Sequence, residues 1–211
     1  MKINNIRYFI ICLVLLCGSS LQAQRLEIRF NKEFSNDNIL NKAIGAGASF
    51  ILDGWNEHLD FQINFDYAGY KSEMDYLGIS NKFTKLKGGV SALYTHPIGK
   101  FFHIRVGGDL SYNNLHKIIT NSADTTSATG ISTTAHRAHM LGIGAVAQLQ
   151  AQLGKIFRIG VGVTPTYLIP LNATVSRPNV ECDYTKGLFV LQLQIGIEIH
   201  LENTNSKSNQ Q

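Results

Sequence analysis

The sequence has few cysteines, prolines and tryptophans, and the shortage of cysteine excludes two classes of protein. Its 211 residues include three cysteines, four prolines and one tryptophan. Cys12 and Cys17 lie in the apolar N-terminal segment, which leaves Cys182 as the one cysteine of the remaining sequence. A single thiol forms neither an internal disulfide nor a cysteine-based metal site. The composition therefore argues against a disulfide-stapled domain and a cysteine-ligated zinc domain.

The sequence also lacks long apolar runs and a strong net charge. No run after the N-terminal segment reaches the roughly 20 apolar residues that a membrane-spanning helix needs. The 19 basic residues exceed the 15 acidic ones by four. Removing Lys2 and Arg7 with the N-terminal segment leaves 17 basic residues against 15 acidic ones, a net charge of about +2. Such a small excess gives no electrostatic footprint for nucleic acid, so we expect no nucleic-acid partner.

Residues 1–23 have the three parts of a secretory signal peptide. Lys2 and Arg7 supply the positive region, residues 8–17 form the apolar region, and "LQA" precedes Gln24 as a small-residue cleavage site. The apolar run is too short to span a bilayer comfortably, which argues against the alternative of an N-terminal anchor. Leu16 stands where a lipoprotein signal needs a small residue before Cys17. We therefore predict export by a cleaved, non-lipidated signal peptide.

Polar and apolar residues alternate in eight segments of the remaining chain. The clearest is "HLDFQINFDYAGY", in which Leu59, Phe61 and Phe65 share one parity and Asp60 and Asp66 the other. A period of two predicts β-strands with one apolar and one polar face. The predicted strands are residues 26–30, 43–52, 58–70, 85–95, 102–112, 141–153, 157–167 and 189–199.

The connections between these segments alternate between longer and shorter along the chain. In order, they are residues 31–42, 53–57, 70–82, 96–100, 114–136, 154–155 and 171–186. Short turns at one end and long loops at the other are typical of outer-membrane barrels. We therefore predict an all-β fold, an eight-stranded antiparallel up-and-down transmembrane β-barrel over residues 24–201, followed by a polar tail over 202–211. The alternative is a soluble periplasmic barrel that carries an apolar ligand and exposes its charges to water.

Aromatic residues fall near the ends of the predicted strands, as interfacial girdles do. One group lies beside the short turns and the other toward the long connections. The first comprises Trp55, Tyr94, Phe102 and Phe157, and the second comprises Tyr67, Tyr112, Tyr167 and Phe189.

The polar faces carry equal numbers of acidic and basic residues. In a membrane barrel these faces point inward, where buried charges must be paired or neutralised. Folding the strands back on one another places Arg158 opposite Glu198, and Lys87 near Asp66 and Asp109. The predicted interior charge network is Glu27, Arg29, Asp60, Asp66, Lys85, Lys87, Arg105, Asp109, Arg158 and Glu198.

With these features, residues 26–201 resemble the small outer-membrane barrels of the OmpX and OmpA-transmembrane-domain type. The Ala23-Gln24 junction and the Gly-rich early strand "GAGASF" resemble the PorT-like barrels of Bacteroidetes. The last strand departs from the pattern, since it ends in "IEIHL" and not in an aromatic residue. The resemblance implies a non-enzymatic protein of the outer membrane with a structural or interaction role. It implies outer-membrane lipid, the barrel-assembly machinery and an extracellular or secretion-system protein as partners.

Some barrels of this size modify lipids, and that remains the enzymatic alternative. The deacylase type has a His-x-Ser pair on one strand, and no histidine of this sequence has a serine two residues later. The palmitoyl-transfer type needs His, Asp and Ser in outer loops, and His116, Ser122 and Asp124 share one long polar connection. His136 and His139 have a spacing that suits a metal on a helix, but on a strand they would point apart. We predict no catalytic, cofactor or metal site. Thr125 in "DTT" resembles O-glycosylated sites, the alternative being an ordinary Ser/Thr-rich loop.

Overall fold

The structure is a computed structural model that describes residues 25–35, 37, 40–53, 58–74, 78–122, 131–177 and 184–201. The predicted signal peptide, the polar tail, Trp55, Asp124, Thr125 and Cys182 lie outside these residues. The described residues form eight strands and a short 3-10 helix, Leu40–Lys42, and none of their helices is long and apolar enough to cross a membrane. The strands are β1 (Arg25–Ser35), β2 (Ile44–Asp53), β3 (Leu59–Met74), β4 (Ile79–Ile98), β5 (Phe102–Asn121), β6 (Ser132–Leu153), β7 (Phe157–Val175) and β8 (Leu188–His200).

Each strand pairs antiparallel with the next in the chain, and β8 closes the ring by pairing with β1. Two of the short connections turn at glycines in the left-handed region, Gly99 with φ 66° and Gly154 with φ 79°. Glycine adopts this conformation without steric cost, so both turns stay tight. Closure leaves no strand edge along the barrel wall, and the predicted eight-stranded up-and-down barrel is confirmed.

The two faces of the strands are arranged as a membrane requires. The apolar parity points outward, where Phe30 is 69% and Ile195 is 58% exposed. The charged parity points inward, and Arg29 and Asp60 are each only 3% exposed. A soluble barrel would have the reverse arrangement, because soluble proteins rarely expose contiguous apolar patches larger than a few hundred Å². The fold is therefore a transmembrane barrel with lipid outside and polar groups within.

Aromatic side chains mark both borders of the apolar band. Phe102 on β5 and Phe157 on β7 are about half exposed near the short turns, and Tyr112 and Tyr167 are about half exposed on the same strands toward the long connections. A stretch of about ten residues at roughly 3.3 Å each, tilted by about 40°, covers roughly 25 Å along the barrel axis. The two girdles thus lie one hydrocarbon thickness apart.

The strands are longer than the alternation predicts. The expected connections 70–82 and 114–136 are largely strand, since β3 runs to Met74, β4 begins at Ile79, β5 runs to Asn121 and β6 begins at Ser132. The expected connections 31–42 and 171–186 are shortened in the same way by β1 and β7. Outside the membrane a strand needs no apolar outer face, so the alternation of polar and apolar residues fades there. The hydrogen bonds between the strands nevertheless continue.

The strands do not all reach the same height at this end of the barrel. The pairing of β2 with β3 stops at Ile44 and Gly69, and that of β7 with β8 stops at Leu168 and Leu188. β3, β4, β5, β6 and β7 continue beyond these pairs as a five-stranded wall on one side of the opening. We call this wall the extended sheet, made of residues 70–74, 79–84, 114–121, 132–139 and 170–175.

Close contact between β4 and β5 explains one glycine of the barrel wall. A Cβ at Gly107 would lie 2.8 Å from Leu93 Cα and would collide with the backbone of Ala92. We expect Gly107→Ala to destabilise the folded barrel by about 1–3 kcal/mol, as overpacking does. The measurement is the urea midpoint in phospholipid vesicles, read from the compact band on unboiled gels. Gly88→Ala is the control, because its Cβ would meet nothing within 4 Å, and equal losses in both variants would contradict the close contact.

Candidate functional site

The interior of the barrel gathers the charged residues of the polar faces. Nine of the ten residues of the predicted network are buried, and Arg158 is half-buried at the short-turn end. The side chains reach across the lumen from different strands, so that residues distant in sequence come into contact. The contacts divide into one cluster near the short turns and another in the middle of the barrel.

The first cluster surrounds Glu198, near the end of β8. Its carboxylate lies 2.8 Å from Arg105 Nη2, 3.3 Å from Arg25 Nη1 and 3.4 Å from Arg158 Nη1. Arg158 stands directly opposite Glu198 in the pairing of β7 and β8. Glu198 is thus shared among three arginines and is not the partner of Arg158 alone.

Asp60 connects two of these arginines on the other side of the lumen. Arg25 forms an ion pair with Asp60, whose second oxygen lies 3.3 Å from Arg105 Nε. Thr95 donates a hydrogen bond of 2.6 Å to the same carboxylate. Because Arg25 and Arg105 each bridge Asp60 and Glu198, the cluster ties β1, β3, β5 and β8 together through charge-assisted hydrogen bonds.

The second cluster is built on a bidentate pair between Arg29 and Asp66. The Nε–Oδ1 and Nη2–Oδ2 distances are 2.9 and 3.0 Å. Arg29 also donates to Ser49, and Ser49 in turn donates to Asn64. Two parallel hydrogen bonds match the guanidinium fork to the carboxylate plane, which fixes the orientation of both side chains.

Asp109 completes the middle cluster from β5. It accepts hydrogen bonds from Ser91 Oγ at 2.9 Å and from Asn64 Nδ2 at 3.3 Å. Lys87 stands opposite Asp66 in the pairing of β3 and β4, but its Nζ lies 2.9 Å from Asp109 Oδ2. Lys87 pairs with Asp109 because Arg29 already occupies both oxygens of Asp66.

Sequence reasoning missed Arg25 and Glu33, two charged residues of β1 that face the interior. Arg25 stands one residue before the first predicted strand, and Glu33 fell in the predicted connection 31–42. Glu33 pairs with Lys85, with Oε1 and Nζ 2.6 Å apart. Both residues have the same parity on β1 as Glu27 and Arg29, so extending the strand by parity would have found them. They add one charge of each sign, and Lys117 on β5 is a further buried basic residue.

An apolar layer that the sequence did not predict lies above the network. Phe83, Leu115, Met140 and Leu168 are buried inside the barrel near the end where the long connections lie. Leu40 and Tyr184 cover them from the connections after β1 and β7. Asp37 accepts a hydrogen bond of 2.8 Å from the backbone N–H of Leu40, which holds the short helix over the opening.

Little space is left within the middle of the barrel. The cavity between Arg29, Asn64, Lys87, Asp109 and Gln194 has a volume of about 10 Å³. That is about the minimum volume that holds one water molecule. The described side chains around this cavity are therefore closely packed.

Four of the residues considered for chemistry lie within the described ranges, and each of them has another environment. His136 is buried inside the barrel, whereas His139 lies on its outer face. His116 accepts a hydrogen bond from Arg137 Nε at 3.5 Å, and Ser122 donates to the carbonyl of Gly78 at 2.9 Å. Within the described ranges, no three His, Cys, Asp or Glu side chains are arranged to hold a metal ion.

The same fold occurs in several solved outer-membrane and surface proteins. The barrel is similar to a major outer membrane protein of Thermus thermophilus, with TM-score 0.61 and 13% identity over 85% of this chain and 100% of that one. It is similar to Neisserial surface protein A, with TM-score 0.59 and 12% identity over 87% and 100%. Yersinia pestis Ail in complex with a heparin analogue gives TM-score 0.56 and 12% identity over 85% and 100%.

No family model and no curated protein sequence matches the chain. The structural neighbours therefore establish the fold, that of small eight-stranded outer-membrane barrels. The resemblance to this type of barrel is confirmed at that level, and its PorT-like part stays a prediction.

Glu198 is in contact with three arginines, more than Asp60 or Asp66. We expect Glu198→Gln to cost about 3–5 kcal/mol of folding free energy, because Arg25, Arg105 and Arg158 lose a shared counter-charge. Adding Arg158→Gln should recover part of the loss, because one of the three arginines is removed while Arg25 and Arg105 keep their contacts with Asp60. The measurement is the urea midpoint in phospholipid vesicles, and a midpoint unchanged by Glu198→Gln would contradict the shared role.

The isolated pair of Lys85 and Glu33 gives the matched comparison. Lys85→Met or Glu33→Leu alone should destabilise the barrel, because each leaves the other charge buried. The double variant should be more stable than either single one, since no charge remains at the site. Additive losses in this cycle would show that the two groups do not interact in the folded barrel.

Proposed function

We propose that this chain is a non-enzymatic outer-membrane β-barrel protein with a structural or interaction role. The observation that carries the proposal is the contrast between the two parts of the barrel. Paired charges and an apolar layer are buried in the described part of the lumen, while the extended sheet projects beyond the outer aromatic girdle. We therefore place any binding function on the outer surface of the barrel, at the end that carries the extended sheet.

The filled lumen argues against a channel. Arg105 crosses it at full burial, and the middle cluster leaves only about 10 Å³. An eight-stranded barrel is just wide enough for its own side chains, so a path for solutes would require these pairs to break. The same packing argues against a carrier, because an apolar ligand would find charges in the lumen.

The extended sheet supports an interaction role. Beyond Gly69 the strand β3 has lost its pairing with β2, and beyond Leu168 the strand β7 has lost its pairing with β8. Sheet edges are a recurring site of peptide recognition, so we place a protein partner at this end of the barrel. A partner in a secretion system rests on the PorT-like resemblance alone. The lipid-modifying alternative would show as an altered lipid profile in a deletion strain.

Electrical recording tests the closed lumen. We expect the purified barrel to give no stable, ohmic conductance steps in planar bilayers, because no described path crosses the interior. A folded wide porin reconstituted in the same way serves as the positive control, and the compact band on unboiled gels verifies the fold of the sample. Reproducible steps from the folded protein would contradict the proposal of a filled barrel.

Labelling of Cys182 tests the location and the orientation. The residue follows β7 and precedes β8, so it belongs to the long-connection end that we place outside the cell. A membrane-impermeant maleimide should label intact cells, and Cys182→Ser should remove the label. Denatured protein, in which the thiol must react, is the control for oxidation.

The opposite end supplies the matched probe. Lys100 is exposed in the turn between β4 and β5. The variant with Cys182→Ser and Lys100→Cys should react only after the outer membrane has been permeabilised. The reverse result, with Lys100→Cys labelled on intact cells and Cys182 protected in cells without a surface coat, would overturn the orientation.

A further inference from the structure

A basic cleft lies on the outer face of the extended sheet, just beyond the aromatic girdle. Its volume is about 220 Å³, and it is lined by Thr84, Leu86, Asn114, His116, Arg137 and His139. Arg137 stands opposite His116, and His139 stands opposite Asn114, in the pairing of β5 and β6. Since none of the six lining side chains is acidic, the cleft collects nitrogen donors from two strands without a carboxylate among them.

The position of the cleft relative to the bilayer is fixed by Tyr112. The hydroxyl of Tyr112 forms a hydrogen bond with Nδ1 of His139, and the two rings stack with centroids 5.8 Å apart. Tyr112 belongs to the outer girdle, and His116 follows four residues later on the same face of β5. A strand rises about 3.3 Å per residue and is tilted by about 40°, so the cleft extends from the headgroup level of Tyr112 to roughly 10 Å beyond it at His116.

Positive charge accumulates around His116. Burial lowers its pKa, and the charges of Arg137 and Lys82 lower it further. Lys82 is exposed on β4, opposite Lys71 of β3. An anion in the cleft would reverse this electrostatic effect, because a negative charge favours the protonated imidazole. The arrangement is thus complementary to a phosphate group.

An apolar groove continues from the cleft down the membrane face. It has a volume of about 450 Å³ and shares Leu86 and Asn114 with the cleft. Phe65, Tyr67 and Tyr112 line it together with Gly88. A Cβ at Gly88 would meet nothing within 4 Å, so the missing side chain leaves open space on the lipid-facing surface. A hydrocarbon chain lying there would contact aromatic rings within the apolar band.

We propose that the cleft and the groove together bind one phosphate-bearing membrane lipid, with the phosphate at His116, Arg137 and His139 and an acyl chain over Gly88. Basic pockets at headgroup depth are the sites that anionic lipids occupy on membrane proteins. The continuity of the two cavities favours a lipid over free phosphate, because free phosphate would use only the upper one. The inference rests on the membrane placement under the proposed function and specifies the lipid partner.

Native mass spectrometry of the purified full chain in a non-ionic detergent tests this site. The probes are dimyristoyl phosphatidic acid, dimyristoyl phosphatidylcholine and inorganic phosphate. We expect one phosphatidic acid molecule to be retained, at least about fivefold more tightly than phosphatidylcholine, and millimolar phosphate to compete poorly. The double variant His116→Asn with Arg137→Gln should lose this preference by a similar factor.

The groove is tested by filling it. Gly88→Leu adds a side chain where there is open space, so it should weaken retention of phosphatidic acid while leaving the barrel folded. Gly108→Leu is the matched control, because Gly108 also faces lipid and has room for a Cβ but does not line the groove. Lys155→Gln removes an exposed charge at the opposite end and should change nothing.

Each contrary result overturns the proposal. Equal retention of phosphatidylcholine would indicate ordinary annular lipid, and strong competition by phosphate would indicate a site for the free anion. Losses of the same size in the Gly108→Leu and Lys155→Gln controls would indicate a general effect on the detergent-bound protein. The assay uses purified protein whose fold is checked on unboiled gels, so its outcome is independent of the cellular location and orientation that Cys182 labelling tests.

Discussion

The pairing of β1 with β8 is the constraint on which the rest of the structure depends. In hydrocarbon every backbone N–H and C=O must find a partner within the protein, so a sheet can cross the membrane only as a closed ring. Closure at eight strands sets a narrow lumen, and the alternation of side chains sends half of every strand into it. The charges of that half then have no access to bulk water and must neutralise one another. The clusters around Glu198 and Asp66 are a consequence of closing the ring.

The arginines of the lumen neutralise charge and also brace the wall mechanically. Arg25 and Arg105 each contact both Asp60 and Glu198, so one side chain links carboxylates on different strands. The planar guanidinium, with five donors in a fixed fork, suits such bridging better than a lysine ammonium. Lys85 instead pairs with Glu33, and Lys87 pairs with Asp109. The shared arginines make the short-turn end a single electrostatic unit, whereas the other end relies on apolar contacts.

The features that could be predicted from the sequence are those that contact with the membrane imposes on it. Between the girdles each strand must alternate, and this alternation identified the faces of Asp60, Arg105 and Glu198 and placed Arg158 opposite Glu198. Outside the girdles both faces of a strand can contact water. The alternation of polar and apolar residues therefore fades there, while the hydrogen bonds between strands continue. Glu33 and Leu115 were therefore assigned to connections, and Arg137 was left outside the predicted strands. The apolar layer around Leu115 needs side chains from several such strand ends, a convergence that only the barrel register creates.

The position of the basic cleft follows from the same register. His116 and Arg137 are far apart in sequence, but the pairing of β5 with β6 sets them side by side on the outer face. Inside the barrel, Phe83 and Leu168 belong to the apolar layer at this end, so the lumen here offers a polar ligand few partners. The accessible positive charge is therefore on the outer wall, where the sheet leaves the bilayer. There the outer face of β5 changes from the aromatic girdle at Tyr112 to the basic cleft at His116 within four residues. A molecule that is apolar at one end and anionic at the other matches that change. For this reason we propose that lipid binds the outer wall, and we place a protein partner at the edges of the extended sheet.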